Sequence, residues 1–285
     1  MRHSLLTAAL LTALVAGCKA EAPTAPATSS ATATAAASQA DARFAELSKR
    51  WLEGWLPLNP VAATQIGDHR FDAELDDVSA AGRQRALDFS KKLLAELDAI
   101  DAKTLSRENQ VDAAILRNQL RGDIWSTETL QAWAWDPQGY SGLAGSAIYN
   151  LMAREFAPLP ERLKSATARM EKLPAMFAQM RAEIVPARVP KLHAETVAKQ
   201  HAGLLSLIDT FITPNADKLQ GEDRTRLDAA VAGLRKAVAE HQEWLDKTLV
   251  PNAKGDVRIG QKLYDEKLQF SLNSELTRQE IRKHA

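Results

Sequence analysis

The chain has 285 residues, 45% of them hydrophobic and 25% charged, with 36 Lys plus Arg against 36 Asp plus Glu and a single cysteine. A formal net charge of zero argues against the basic face or stripe that nucleic-acid binding needs. One cysteine excludes an internal disulfide, and the length is enough for one large domain or two small ones with a sizeable core.

The N-terminus reads as a secretion signal. Met1-Arg2-His3 is a short cationic start, followed by an apolar run over residues 5–15 that is too short for a permanent membrane span. It ends in Val15-Ala16-Gly17-Cys18, which resembles a bacterial lipobox. Residues 1–17 are then the signal peptide and Cys18 the lipid-attachment site, anchored by several acyl chains. Lys19 stands where an acidic retention signal would be, which points to the outer membrane, facing the periplasm. Residues 18–40 are Ala, Thr, Ser and Pro with almost no large apolar side chain, and read as a flexible tether. The folded domain is expected over residues 41–285.

From there the pattern is helical. Phe44, Leu47, Trp51 and Trp55 form one apolar stripe, closed by Pro57 and Pro60. Ser79 opens a second helix with Leu87, Leu94, Leu97 and Ile100 inward. Ser106 caps a third, with Val111, Ile115 and Ile124 expected inward. A Trp-rich loop precedes a fourth helix marked by Ile148, Met152 and Phe156. Residues 159–184 read as two helices broken at Pro174, with Leu163, Met170, Phe177 and Met180 as core. Residues 192–212 read as one long amphipathic helix. Leu227, Val231, Leu234, Val238, Leu245 and Leu249 mark a longer one, close to a heptad seam. Gly255 and Gly260 precede a last pair, the second opened by a capping box at Thr277 and Glu280. No alternating strand pattern occurs, so the expected class is all-α, a multi-helix array of long amphipathic helices.

Chemistry is hard to find. None of the histidines His3, His69, His193, His201, His241 and His284 are four apart, the spacing that puts two imidazoles on one ion. His193 and His201, with Glu195 between them, would lie about 12 Å apart along a helix. Gly139-Tyr140-Ser141-Gly142-Leu143 has Leu143 in place of the second glycine of a nucleophile elbow and no strand before it; it reads as a flexible loop. No catalytic residue and no metal ligand is assigned. Trp133, Trp135 and Tyr140 form the candidate ligand-contact loop, because Trp133-Ala134-Trp135-Asp136-Pro137 offers aromatic surface outside the helical stripes.

Four phrases together carry a resemblance. They are Asn59-Pro60-Val61-Ala62-Ala63-Thr64-Gln65-Ile66-Gly67; Arg162-Leu163 through Ala168-Arg169-Met170-Glu171-Lys172-Leu173-Pro174; Val189-Pro190 with Glu195, Gln200 and Gly203; and Gly260-Gln261-Lys262-Leu263-Tyr264 on to Leu276-Thr277 and Glu280-Ile281. In this order they resemble the N-terminal half of the bacterial domain-of-unknown-function family 885 (DUF885). The resemblance implies one half of a larger fold like that of helical zinc metallopeptidases, with a cleft for a peptide. The zinc helix, of H-E-x-x-H type, belongs to the other half, so no cofactor is expected in this chain and zinc only in full-length members. It also implies a truncated or split member, inactive alone. Leu263, Leu268 and Ile281 would be exposed where a C-terminal half, or a second copy, packs. The alternative is a non-catalytic periplasmic binding or scaffold lipoprotein.

Overall fold

The computed structural model describes residues 28–284. The signal peptide over 1–17 and Cys18 lie outside them. Among the described residues there is no strand, only an isolated bridge between Pro190 and Gly255, so the protein is an all-α array.

Three packed clusters make the core. In the first, α1 (Thr28–Leu58) lays Phe44 and Leu47 against α3 (Ala80–Asp98) and α4 (Arg107–Trp125), with Leu93, Leu97, Leu116 and Leu120 between them. α1 begins inside the Ala- and Thr-rich segment read as a tether; alanine is the best helix former, so that stretch does not oppose helix. The starts of α3 and α4 read from sequence are present. Ser79 accepts from the Gly82 amide at 3.1 Å and Ser106 from the Asn109 amide at 3.4 Å, each satisfying a first-turn donor.

α4 turns a different face inward from the one expected. Val111 and Ile115 are 42% and 53% exposed, while Ala113, Leu116 and Leu120 are buried. Both faces of this helix carry apolar residues, and periodicity alone does not choose between them. The face that α3 covers is the one whose leucines reach Leu93 and Leu97.

The second and largest cluster joins α6 (Pro137–Met152), α7 (Leu159–Glu183) and α10 (Gly221–Trp244) through Ile148, Leu151, Leu163, Met170, Leu173, Phe177, Leu227 and Leu234. α7 is a single helix that runs through Pro174. An internal proline costs about 3 kcal/mol. Met170, Leu173, Met176 and Phe177 on both sides of it are at most 2% exposed, and burying one such side chain is worth about 1.5–3 kcal/mol. Packing therefore outweighs the break that the proline signals.

Residues 192–212 are not one helix. α8 (Lys191–Gln200) stops at His201, α9 (Gly203–Leu207) follows, and a π-turn over Ile208–Ile212 ends the segment. The third cluster ties α8 to the π-turn Leu245–Leu249 and to α11 (Val250–Asn252), through Val189, Val197, Leu245 and Leu249. At its edge the Gly255 amide donates to Val189 O at 2.9 Å; a Cβ on Gly255 would lie 2.0 Å from Arg188 O, so only glycine fits.

Two family phrases meet at Arg169, which is fully buried in α7. Its Nε donates to Glu74 O, Nη1 to Ala147 O, and Nη2 to Pro60 O and Thr64 Oγ1, at 2.7–3.1 Å. Pro60 and Thr64 belong to α2 (Pro60–Ile66), capped by the left-handed Gly67. Burial draws the Arg169 pKa down to about 10, against the pull of Asp72, Asp76 and Glu74, so the guanidinium stays charged at neutral pH.

The last two helices, like the single turn of α11 but unlike the longer helices before them, bury nothing fully. Neither α12 (Gln261–Leu272) nor α13 (Arg278–His284) contains a buried residue. α12 rests on α4: Trp125 Nε1 donates to Glu266 at 2.6 Å, Asn118 donates to Phe270 O at 2.9 Å, and Trp125 and Phe270 pack ring to ring. α13 opens on the capping box read from sequence. Thr277 N donates to Glu280 Oε2 at 2.7 Å and Glu280 N to Thr277 Oγ1 at 3.2 Å.

Candidate functional site

The tryptophan segment expected as a loop is built as a tight frame. A π-turn over Ser126–Leu130 follows α4, Gln131 turns left-handed at φ 52°, and α5 (Ala132–Trp135) is one helical turn. Both indoles are pinned to the carbonyls of the π-turn: Trp133 Nε1 to Thr127 O at 3.0 Å and Trp135 Nε1 to Leu130 O at 2.9 Å. A π-turn and a left-handed non-glycine residue each cost backbone energy and recur at functional sites. Tyr140 and the glycines beside it lie inside α6, not in a flexible loop.

Tyr140 is 7% exposed and its hydroxyl donates to Trp133 O at 2.8 Å. Burial, and then the Glu183 carboxylate, push its pKa up to about 12, so it stays a neutral donor. Arg83 from α3 lies 3.7 Å above the Trp133 ring and pairs with Glu183 of α7 at 2.8 Å. The cation is thus held by an aromatic face on one side and a carboxylate on the other. Neither Arg83 nor Glu183 has a local signal in the sequence, since their pairing spans 100 positions and needs the tertiary fold.

Around this frame lie three adjoining concavities. A cavity of about 340 Å³ is lined by Val78, Arg83, Trp133, Asp136, Tyr140 and Leu143. Ser126 and Thr127 also line a neighbour of about 230 Å³ containing Trp55, Asn59 and Asp123. Burial raises the Asp123 carboxyl to about 6 there, against a hydrogen bond from Gln119. Asp136, the N-cap of α6, is shared with a groove of about 870 Å³ that runs under α12 and α13. Trp135 and His193 line the same groove, with His193 Nδ1 3.4 Å from Asp136 Oδ1. Asp136 before Pro137 is a readable helix start, so its place could have been found from sequence.

The candidate residues therefore converge in part. Trp133 and Tyr140 face the middle cavity and Trp135 the long groove. His193 and His201 do not converge on one centre. His201 packs among Phe177 and His241, with ring centroids 5.3 and 4.8 Å away. Among the described residues no three of His, Cys, Asp and Glu come together as a metal site, so the residues present do not fit a zinc ion. The cleft can enclose an apolar or aromatic group and present it with a few fixed polar atoms.

A comparison with curated proteins finds no match. Among solved structures, the chain is similar to a candidate lipoprotein of unknown function from Shewanella oneidensis, at 28% identity and a TM-score of 0.76. The similarity covers 82% of this chain and 43% of that one, so this chain spans less than half of that protein's length. The pattern of the bacterial protein family of unknown function DUF885 matches residues 60–285, the region from α2 through α13. The chain belongs to the DUF885 family.

Proposed function

We propose that this chain is the cleft-forming N-terminal part of a metallopeptidase-like envelope lipoprotein, truncated or split, with no hydrolytic activity on its own. In this reading Cys18 carries the lipid and holds the domain in the outer membrane, facing the periplasm. Trp133, Trp135 and Tyr140 contact a peptide. Zinc belongs to full-length members only, in a C-terminal half that packs on α12 and α13 or is replaced there by a second copy. Nucleic acid is no partner.

The observation that carries this reading is the bareness of the last two helices. Tyr264 and Leu272 on α12 and Leu276 just before α13 are 47–49% exposed, and Leu263, Leu268 and Ile281 are only half-buried. A surface of this kind is ordinarily covered by protein. The greater length of the similar Shewanella chain supports the same conclusion. The cavity of about 340 Å³ favours a second reading, a non-catalytic binding module, since a ligand-sized apolar pocket needs no catalytic group.

Sedimentation and denaturant unfolding of the purified chain separate the two. The split member self-associates, or loses α12 and α13 before the core unfolds. A monomer that unfolds in one cooperative step with those helices protected would support the binding module instead.

A further inference from the structure

The groove under α12 and α13 is electrically lopsided. Arg258, Lys267 and Arg282 line it, and none of the three has an ion-pair partner among the described residues. Arg278, by contrast, is neutralised by Asp265, a pair that also braces α13 against α12. The carboxylate in the lining, Asp136, faces His193. The apolar floor includes Tyr264 and Leu268, four apart on α12, and Ile281 on α13.

These features select both shape and charge. The main-chain groups of α12 are engaged within the helix, and no strand edge occurs among the described residues, so an occupant gains no ladder of backbone hydrogen bonds here. A helix, which satisfies its own backbone, suits such a surface. Tyr264 and Leu268 form an i, i+4 ridge of the kind that packs into the groove of a facing helix. The 12 residues of α12 span about 18 Å at 1.5 Å per residue, room for roughly three helical turns. Unpaired cations on the rim favour acidic residues opposite them and repel basic ones.

We propose that this groove docks an amphipathic α-helix with an acidic flank, its apolar face on Tyr264, Leu268 and Ile281 and its carboxylates on Arg258, Lys267 and Arg282. The proposal rests on the reading of α12 and α13 as a surface covered by further polypeptide, and it specifies the chemistry of that cover.

Photo-crosslinking in cells tests it. A benzophenone amino acid is placed at Leu268 in the full chain, and at the exposed Ile66 on α2 as a control. The expected result is an adduct at Leu268, absent at Ile66, to a helical segment richer in Asp and Glu than in Lys and Arg. The double reversal Lys267→Glu with Arg282→Glu is expected to lower the yield roughly tenfold with far-ultraviolet circular dichroism unchanged. No adduct, an adduct to lipid, to a second copy or to a basic segment, or a yield indifferent to charge reversal overturns the proposal. An acidic helix from a protein outside the family upholds the docking chemistry while removing the split-member reading. A missing adduct removes the docking chemistry and leaves that reading to its own tests.

Discussion

Arg169 Nη2 donates to the Thr64 hydroxyl at 2.7 Å, joining positions 105 residues apart and two of the four phrases that carry the family resemblance. Thr64 in turn donates to Asp72 Oδ1 at 2.6 Å, and Asp72 Oδ2 meets His69 Nδ1 at 3.0 Å. The order of these groups gives each a defined role. The guanidinium neutralises a buried acidic corner and satisfies three carbonyls from α2, α6 and the segment before α3. The hydroxyl passes the contact on to Asp72.

Removing the cation strands all of these partners. Arg169→Met is expected to destabilise the protein by at least about 3 kcal/mol, because buried charges and carbonyls are left unpaired. Thr64→Val removes one link and costs about 1–3 kcal/mol. Urea unfolding at pH 7.5 measures both, and the double variant should cost less than the sum. An Arg169→Met protein within 1 kcal/mol of wild type would show the network to be incidental.

Acid should weaken the α7–α10 junction through His241. It is 1% exposed and stacked on Phe177, with the His201 ring 4.8 Å away and Arg181 Nη1 3.1 Å from its Nδ1. Arginine can only donate, so Nδ1 accepts and the ring is neutral. Burial, then His201 and Arg181, push its pKa down from 6.5 to about 3. Below pH 6.5 the unfolded chain takes up a proton that the folded one refuses, so stability falls as pH drops. The loss is about 1.4 kcal/mol per pH unit, or on the order of 2 kcal/mol at pH 5. Burial lowers the His201 pKa as well, adding to the loss. His241→Phe is expected to flatten this acid limb in a pH series of thermal melts; an unchanged slope contradicts the assignment.

Asp123 works in the opposite direction. Its carboxyl, raised to about 6 by burial, is harder to ionise in the folded state than in the unfolded one, so stability falls as pH rises from about 4 to about 6 and is level above that. Asp123→Asn should stabilise the protein by about 1 kcal/mol at pH 7.5, a figure reduced for the partial exposure of the site, and by nothing near pH 4. Equal effects at both pH values would mean that charge is not the cause.

Gly255→Ala should be costly despite its place in a connecting segment. The added methyl meets Arg188 O at 2.0 Å, and the Gly255 amide would be drawn from Val189 O. Separation of this clamp is expected to cost about 2 kcal/mol or more. It should also raise hydrogen exchange at the amide of residue 255, whereas Gly139→Ala, with nothing within 4 Å of its Cβ, should cost little.

Most of the helices, the caps at Ser79, Ser106 and Thr277, and the stripes through Leu47, Leu97, Met170 and Leu234 were legible in the sequence, because each rests on local chemistry or on a period of 3.6; the break of residues 192–212 after α8 and the start of α1 within the tether were not. Pro174 misled because its cost is local and fixed, while the burial that outweighs it belongs to the assembled core. Val111 and Ile115 misled because α4 has two apolar faces, and only α3 decides between them. Trp133, Trp135 and Tyr140 were singled out from sequence and do line the two concavities, but as parts of α5 and α6 instead of a loop; the Asp136-Pro137 helix start was missed, though its signal is local. Arg83 and Glu183 were not legible, since nothing near either residue points to the other.

In the proposed reading this chain forms a cleft but supplies no hydrolytic centre. The most direct test is the zinc content of the purified chain, measured alongside its hydrolysis of a mixed peptide library. The expected result is less than about a tenth of an equivalent of zinc and no cleavage above buffer. One zinc per chain, with cleavage abolished by a chelator and restored by the metal, would contradict it.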